Sequence, residues 1–358
     1  MKRRQFLRLS SLALAGLAAG CRPDRVAPTV YVPGSTRPPP SPTPTNVPQP
    51  TATLAPPLTS VPITPIKDLY VTSYRLTPKP EELTRWALKI DGLVETPLTL
   101  TMEDIHALPA IESMRTLSCI SNPVGGSLIG NIVWTGIDFA TIVERIGIKA
   151  EAAYVNFEAA DGYFTSVALK WLTQPDVMLA YLANGEALPP EHGYPLRILI
   201  PGLYGQKQPK WITRITFSDK EKLGYWEQEF RGWSNVATVN TISQIREPAK
   251  NISFTAPIRL TGMAFSGLEA ITKVEIAIRT DPNEQRVWQP VVLIAPPSPL
   301  VWTWWTHVWS PPTPALYRIA VRATDSTGFT QAHEARGTFA GAFPDGSDAI
   351  HEVLLKLD

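Results

Sequence analysis

Two patterns of apolar and polar positions divide the chain. Up to about Pro248, short apolar segments alternate with helix-like ones: WALKIDGLV (86–94) and PLTLT (97–101) read as strands, and TMEDIHAL (101–108) as a helix capped by Thr101 with Asp104 three residues on. A helix around Asp138–Ile146, a strand at AYVNFEA (153–159) and the apolar run PLRILIPG (195–202) follow. This is a mixed α+β pattern. From Ile258 onward the helix signals fade and apolar residues recur at every second position, as in Val274, Ile276 and Ile278 or Tyr317, Ile319 and Val321. That period predicts an antiparallel sandwich of about 100 residues. In its VWTWWTHVW run, Trp304 and Trp305 are adjacent in a strand and should point to opposite faces, leaving one of them less buried.

The beginning of the chain is different. Lys2, Arg3, Arg4, Gln5, Phe6 and Leu7 read as a twin-arginine export signal, and the apolar stretch Leu12–Ala19 is too short to span a bilayer. It ends in LAAGC, a lipobox-like run that makes Cys21 the expected site of acylation; residues 1–21 are therefore read as a signal that leaves the chain anchored to the outer side of a bacterial membrane. Twin-arginine export carries proteins already folded, which hints at a prosthetic group. Residues 22–65 hold 14 of the 36 prolines, a composition that cannot bury a core, so 22–66 is expected to be a disordered tether. The remainder suffices for two domains, 67–249 and 250–358. With a net charge of +1, nothing points to nucleic acid.

The chain has two cysteines. If Cys21 carries a lipid, Cys119 is left without a disulfide partner in an oxidising compartment. In LSCISNP it lies between apolar Leu117 and Ile120, with Ser121, Asn122, Pro123, Gly125 and Gly126 following, which places a thiol where a strand turns and a ligand can approach. A buried apolar cysteine or an activated nucleophile are the other readings. A zinc site lacks a second cysteine and paired histidines.

A second cluster lies in HGYPLRILIPGLYGQKQPKWI (192–212), where His192, Arg197, Lys207 and Lys210 stand among Gly193, Gly202 and Gly205, so several cationic groups can converge on one anion.

With KIDGLVETPLTLTMEDIHALP, LSCISNP, GNIVWTG, HGYPLR followed by KW, and GWSN, the chain resembles the sulfite oxidase family. The resemblance implies an α+β sulfite-oxidase-type molybdopterin domain, then an all-β immunoglobulin-like sandwich that in the family often mediates dimerisation. It implies molybdenum and molybdopterin as cofactors, with Cys119 as the metal's thiolate ligand and His192, Arg197, Lys210, Gln208, Pro209, Asp161 and Ser73 about the pterin and its phosphate. Tyr74, Asn122, Tyr204 and Arg231 become candidate substrate contacts.

The match departs in two places. Thr72, Ser73 and Tyr74 stand where sulfite oxidases carry an Arg-Asn-His triplet, and Phe230 in FRGW replaces the family's active-site tyrosine. Sulfite is therefore not the expected substrate; two-electron oxygen-atom transfer on another small S- or N-containing molecule is, in either direction. With no CxxCH for a haem, electrons pass through a separate partner. A surface-tethered binding or adhesion module that keeps the fold and not the metal is the alternative.

Overall fold

Strand β1 (Leu88–Gly92) buries Leu88 and Ile90 completely and turns Lys89 outward. After β2 (Leu98–Leu100) comes α1 (Met102–His106), whose start is fixed by a reciprocal cap: Thr101 Oγ1 accepts from Asp104 N at 3.2 Å and the Asp104 carboxylate accepts from Thr101 N at 2.8 Å. The chain continues through β3 (Ala110–Ser118), β4 (Ile129–Asp138), α2 (Ala140–Ile146), β5 (Tyr154–Ala159), β6 (Phe164–Ala168) and β7 (Met178–Ala183). Then come β8 (Glu186–Ala187), β9 (Arg197–Leu199) and β10 (Ile212–Ser218). The computed structural model describes residues 59–248, 253 and 256–358; the export signal and Cys21 lie outside these, as does the expected domain boundary at 249–250.

These strands make two sheets, ordered β2-β1-β10-β5-β6 and β3-β4-β7-β8, with β9 pairing on β7. Only β1 and β10 run parallel. A shared core lies between the sheets, joining Leu88, Ile90, Phe157 and Ile215 of the first to Ile137, Leu179 and Ile198 of the second, with Ile105, Ile142 and Ile146 of the two helices sealing it. The other face of the second sheet buries Leu117, Ile132, Trp134 and Leu199 against Leu69. Both faces are thus covered, and β4 and β9 are buried along nearly their whole length.

The rest is all β: β11 (Ile242–Glu247), β12 (Ile258–Phe265), β13 (Ile271–Arg279), β14 (Gln289–Pro290), β15 (Val292–Ile294), β16 (Thr303–Trp309), β17 (Leu316–Asp325) and β18 (His351–Lys356). They form two antiparallel four-stranded sheets, β11-β12-β16-β15 and β14-β13-β17-β18, sharing a core of Leu260, Val274, Ile276, Trp305, Ile319 and Val321.

Trp304 and Trp305 point to opposite faces, and Trp304 is the less buried at 9% against 0%: Trp305 fills the core between the sheets, while Trp304 packs with Trp302, Met263 and Phe265 against Val61 and Ile129. The outer face of that sheet is covered by residues of the preceding part of the chain, such as Val61 and Ile129. One expectation needs correction. Residues 59–66, counted with the tether, are docked. Thr64 N donates to Asn131 O at 2.7 Å, Asn131 and Trp302 side chains donate to Pro62 O, and Val61 is buried. Proline carbonyls remain acceptors although the ring has no N–H, so a proline-rich segment can still be held.

Candidate active site

Strand β3 ends at Ser118, and the chain then turns back to β4 through a closed loop: Cys119 N donates to Leu128 O at 2.9 Å, Asn122 N to Cys119 O at 3.1 Å and Gly126 N to Pro123 O at 2.8 Å. This fixes Cys119 with its sulfur 3.2 Å from Ser121 Oγ, in the wall of a cavity of about 250 Å³. Ser73, Tyr74, Asp161, His192, Arg197, Gln208, Pro209 and Lys210 share that wall. The candidate thiolate and the candidate cofactor residues, up to 137 positions apart, meet in one place.

The cationic side of the cavity is built around Gly193. A Cβ there would lie 3.2 Å from both the Arg197 and Lys210 Cβ atoms, and its φ of +116° suits glycine alone. Arg197 is buried, donates Nη1 to His192 O at 3.1 Å and leaves Nε without a partner. Lys210 Nζ donates to Ser73 Oγ at 3.1 Å and to Glu191 O at 2.8 Å. Burial and then the Arg197 charge pull His192 down to about 4 and Lys210 down to about 7, and burial pulls Arg197 down to about 10. Burial raises Asp161, opposed by the Tyr163 N–H that it accepts at 2.9 Å. Basic groups so depressed are crowded together without enough negative charge, as a site awaiting an anion requires.

Five sequence-based placements differ. Lys207 does not join this cluster: wholly buried, its Nζ pairs with Glu227 Oε1 at 2.9 Å and donates to Ser166 O at 3.0 Å. Asn122 faces the inside of its own loop, where Oδ1 accepts from Leu128 N at 2.9 Å. Tyr204 is buried with its hydroxyl accepting from Asn240 N at 3.2 Å, and with Asn122 and Cys119 it lines a second, smaller chamber of about 10 Å³. Arg231 lies on the Tyr225 ring, 3.7 Å from its centroid, and donates to its hydroxyl. Phe230 is 70% exposed, outside the cavity.

In their place the wall contains Tyr70, Tyr163, Gln206, Trp226, Trp233 and Phe339. The FRGW run pointed at Arg231. Because the chain turns there, with Gly232 at φ +73°, it is Trp233 that reaches the cavity. Phe339 comes from beyond β17, and no local signal marks it.

Residues 76–226 match the family described as oxidoreductase molybdopterin binding domain. The uncharacterized oxidoreductase YuiH of Bacillus subtilis (strain 168) is 39% identical over 160 residues, which cover 43% of this chain and 79% of that one. The sulfite oxidase of Arabidopsis thaliana is 31% identical over 198 residues, 47% of this chain and 50% of that one. The chain belongs to the sulfite oxidase family of molybdopterin oxidoreductases. It spans only half of the plant enzyme's length. The sulfane dehydrogenase SoxCD from Paracoccus pantotrophus has the same fold, with a TM-score of 0.66 at 24% identity over 78% of this chain and 77% of that one.

As a member of this family the chain is an oxidoreductase whose cofactor is molybdenum held by molybdopterin. The residues present fit that group. Among the described residues no cluster of three or more His, Cys, Asp and Glu could hold an ion alone, whereas a single soft sulfur suits a metal that arrives with its own sulfur ligands. The unpartnered Arg197 Nε and the depressed Lys210 suit a phosphate.

Proposed function

We propose that this chain is an exported molybdenum enzyme that catalyses two-electron, oxygen-atom transfer to or from a small S- or N-containing substrate. The observation that carries this is the single cavity in which the Cys119 sulfur shares a wall with His192, Arg197 and Lys210. Cys119 would be the metal's protein ligand. Arg197, Lys210 and Ser73 would hold the phosphate, and His192, Asp161 and Gln208 the pterin. When bound, the cofactor supplies a centre that exchanges two electrons and an oxygen atom.

The chain's own groups do the rest. His192, held neutral, accepts or donates a hydrogen bond without adding charge. Burial keeps the Tyr70 and Tyr163 phenols protonated, so Tyr70 offers a donor to the cavity, while Tyr163 is committed to Gln206 O at 2.7 Å. Tyr74 lines the cavity and remains a substrate contact in this reading; Asn122, Tyr204 and Arg231 become supports of the loops around it.

The same reading includes membrane attachment through lipid on Cys21, an extended tether, a molybdopterin domain to about 249 and an immunoglobulin-like domain from about 250. It also includes delivery of electrons by a separate protein and a homodimer, for which light scattering is the test. The central claim is tested by metal analysis of protein matured with its cofactor. Molybdenum should be present at one per chain and turnover lost in Cys119→Ser; a folded, molybdenum-free wild type would instead identify a binding module.

A further inference from the structure

A separate chamber of about 20 Å³ lies where the two parts of the chain meet, with Leu117, Leu199 and Gln208 of the first part and Phe265 and Leu300 of the sandwich in its wall. That is room for a single small occupant. Arg115, on β3 four residues before Cys119, and Trp134, on β4, line it together. Arg115 is 5% exposed and Trp134 wholly buried. The guanidinium donates Nε to Ser113 Oγ at 3.1 Å and Nη1 to the main-chain carbonyl of Asp176, which leaves Nη2 without a partner. Trp134 Nε1 has none either.

The other polar side chains of this wall are committed. Gln208 Oε1 accepts from Ile200 N at 3.1 Å and its Nε2 donates to Leu203 O at 2.5 Å. Thr116 Oγ1 accepts from Trp302 N at 2.8 Å and donates to Asn131 Oδ1 at 3.2 Å. Among the described residues no Asp or Glu lines the chamber. Burial pulls Arg115 down to about 10, more than the charges of Asp176 and Asp138 restore, so at neutral pH the guanidinium is still charged. A water could accept from both donors, yet it would leave that charge uncompensated and its own protons without a side-chain acceptor. A small anion satisfies the donors and the charge together.

We propose that Arg115 Nη2 and Trp134 Nε1 bind a chloride ion in this chamber. The site is distinct from the cofactor cavity, with which it shares only Leu117 and Gln208, and it does not rest on the cofactor assignment. The two are nevertheless linked through Trp134, because the Arg197 guanidinium lies over the same ring at 5.0 Å. An anion on the indole N–H polarises the ring and strengthens its hold on Arg197. The ion also bears on the joint between the two parts of the chain, where Thr116 N donates to Leu300 O at 2.8 Å.

The test uses protein matured with its cofactor, so that Arg197 and Lys210 are already engaged. Melting temperature is followed while chloride replaces gluconate at constant ionic strength. The wild type should gain about 3 °C at tenfold the dissociation constant, and the gain should saturate. Arg115→Met puts an apolar chain in place of the charge; it should lose the chloride dependence and melt above the wild type in gluconate. Trp134→Phe keeps a ring under Arg197 and removes the N–H, so chloride should bind about tenfold more weakly. That variant decides the matter if Arg115→Met does not fold. Crystals of the wild type soaked in bromide should show an anomalous peak within hydrogen-bonding distance of both donors. A wild type indifferent to chloride overturns the proposal, as does undiminished chloride affinity in either variant. Bromide found only beside Arg197 and Lys210 would place the anion in the cofactor cavity instead and overturn it too.

Discussion

The cavity and the outer face of the β-sandwich use the same side chains to opposite ends. On the sandwich, Glu352 accepts from Arg279 at 3.1 Å, Arg286 at 2.8 Å and Arg318 at 3.1 Å, and these bonds outweigh burial to hold its carboxyl below the usual range. Burial would lower Arg286, yet its bonds to Glu334 and Glu352 raise it. Around the cavity the signs reverse: Arg197, Lys210 and His192 are lowered and Asp161 is raised, chiefly by burial. Charges on the sandwich found oppositely charged partners within the chain, whereas the basic groups of the cavity are left short of them. The difference marks where an external ligand completes the electrostatics.

The contrast breaks most sharply at a buried pair that has found its partner. Lys207 and Glu227 are 1% and 0% exposed and 2.9 Å apart, and Gln206 Nε2 and Thr165 Oγ1 also donate to Glu227 Oε1, at 2.7 and 3.1 Å. Lys207→Met should destabilise by about 3–5 kcal/mol, since it leaves a buried carboxylate uncompensated. Arg318→Met, removing one of three arginines from Glu352, which keeps two others and is 17% exposed, should cost less than the loss of Lys207, about 1 kcal/mol. Chemical denaturation of both variants measures the gap; equal losses would show that burial is not what separates the two regions.

Next in size is Cys119→Ser. A hydroxyl replaces the soft protein donor in the cavity, so turnover should drop by about 100-fold or more while the cofactor stays held by Arg197 and Lys210. The apoprotein should keep its melting temperature, because the loop is closed by backbone bonds and by Asn122, not by the sulfur. Circular dichroism melting with metal analysis on the same samples separates ligand loss from unfolding.

What could be read beforehand divides along similar lines. The strands at 86–94 and 153–159, the Thr101 cap and the period-two strands after Ile258 were legible because local periodicity and capping fix them. Cys119, His192, Arg197 and Lys210 were legible because resemblance ties each to a short motif. Trp226, Trp233 and Phe339 were not: their approach depends on a turn at Gly232 and on the packing of a segment over 100 positions later. Lys207 was misplaced for a related reason. The sequence shows a lysine three residues from Lys210, but only the fold shows that the turn at 205–207 points one inward to Glu227 and the other toward Ser73.

A smaller effect sharpens the comparison from the cavity side. Lys210 is depressed to about 7 by burial and Arg197, so its charge is unwelcome until an anion arrives. Lys210→Met should leave the apoprotein as stable as wild type or slightly more so, and should weaken cofactor retention about tenfold or more by removing a charge-assisted bond. Arg286→Met on the sandwich should show the reverse, lower stability with normal cofactor content. Parallel melting curves and molybdenum analysis of the two variants decide it.

A pH-dependent effect lies where the two regions meet. His351 opens β18, its Nδ1 accepts from Ile245 N at 3.0 Å, and its Nε2 faces Gly125 on the Cys119 loop so closely that a Cβ there would approach to 2.2 Å. Burial, and then Arg246, lowers it from 6.5 to about 4. Above 6.5 the ring is neutral whether the chain is folded or not and contributes nothing to pH dependence. Between 6.5 and about 4 the unfolded chain binds a proton that the folded chain does not, so stability falls as pH falls through this window. His192, also lowered to about 4, acts in the same direction from inside the cavity. In apoprotein His351→Gln, whose amide oxygen can still accept from Ile245 N, the stability lost between pH 7 and pH 4 should shrink, with a residue left over from His192. Loading the cofactor should then remove that residue and leave the His351 share untouched, because the cofactor's phosphate offsets charge at the cavity and not behind the loop. Melting temperatures across this range, for both proteins with and without cofactor, test it: an acid slope indifferent to His351→Gln would mean that the contact with the loop tolerates a charged ring.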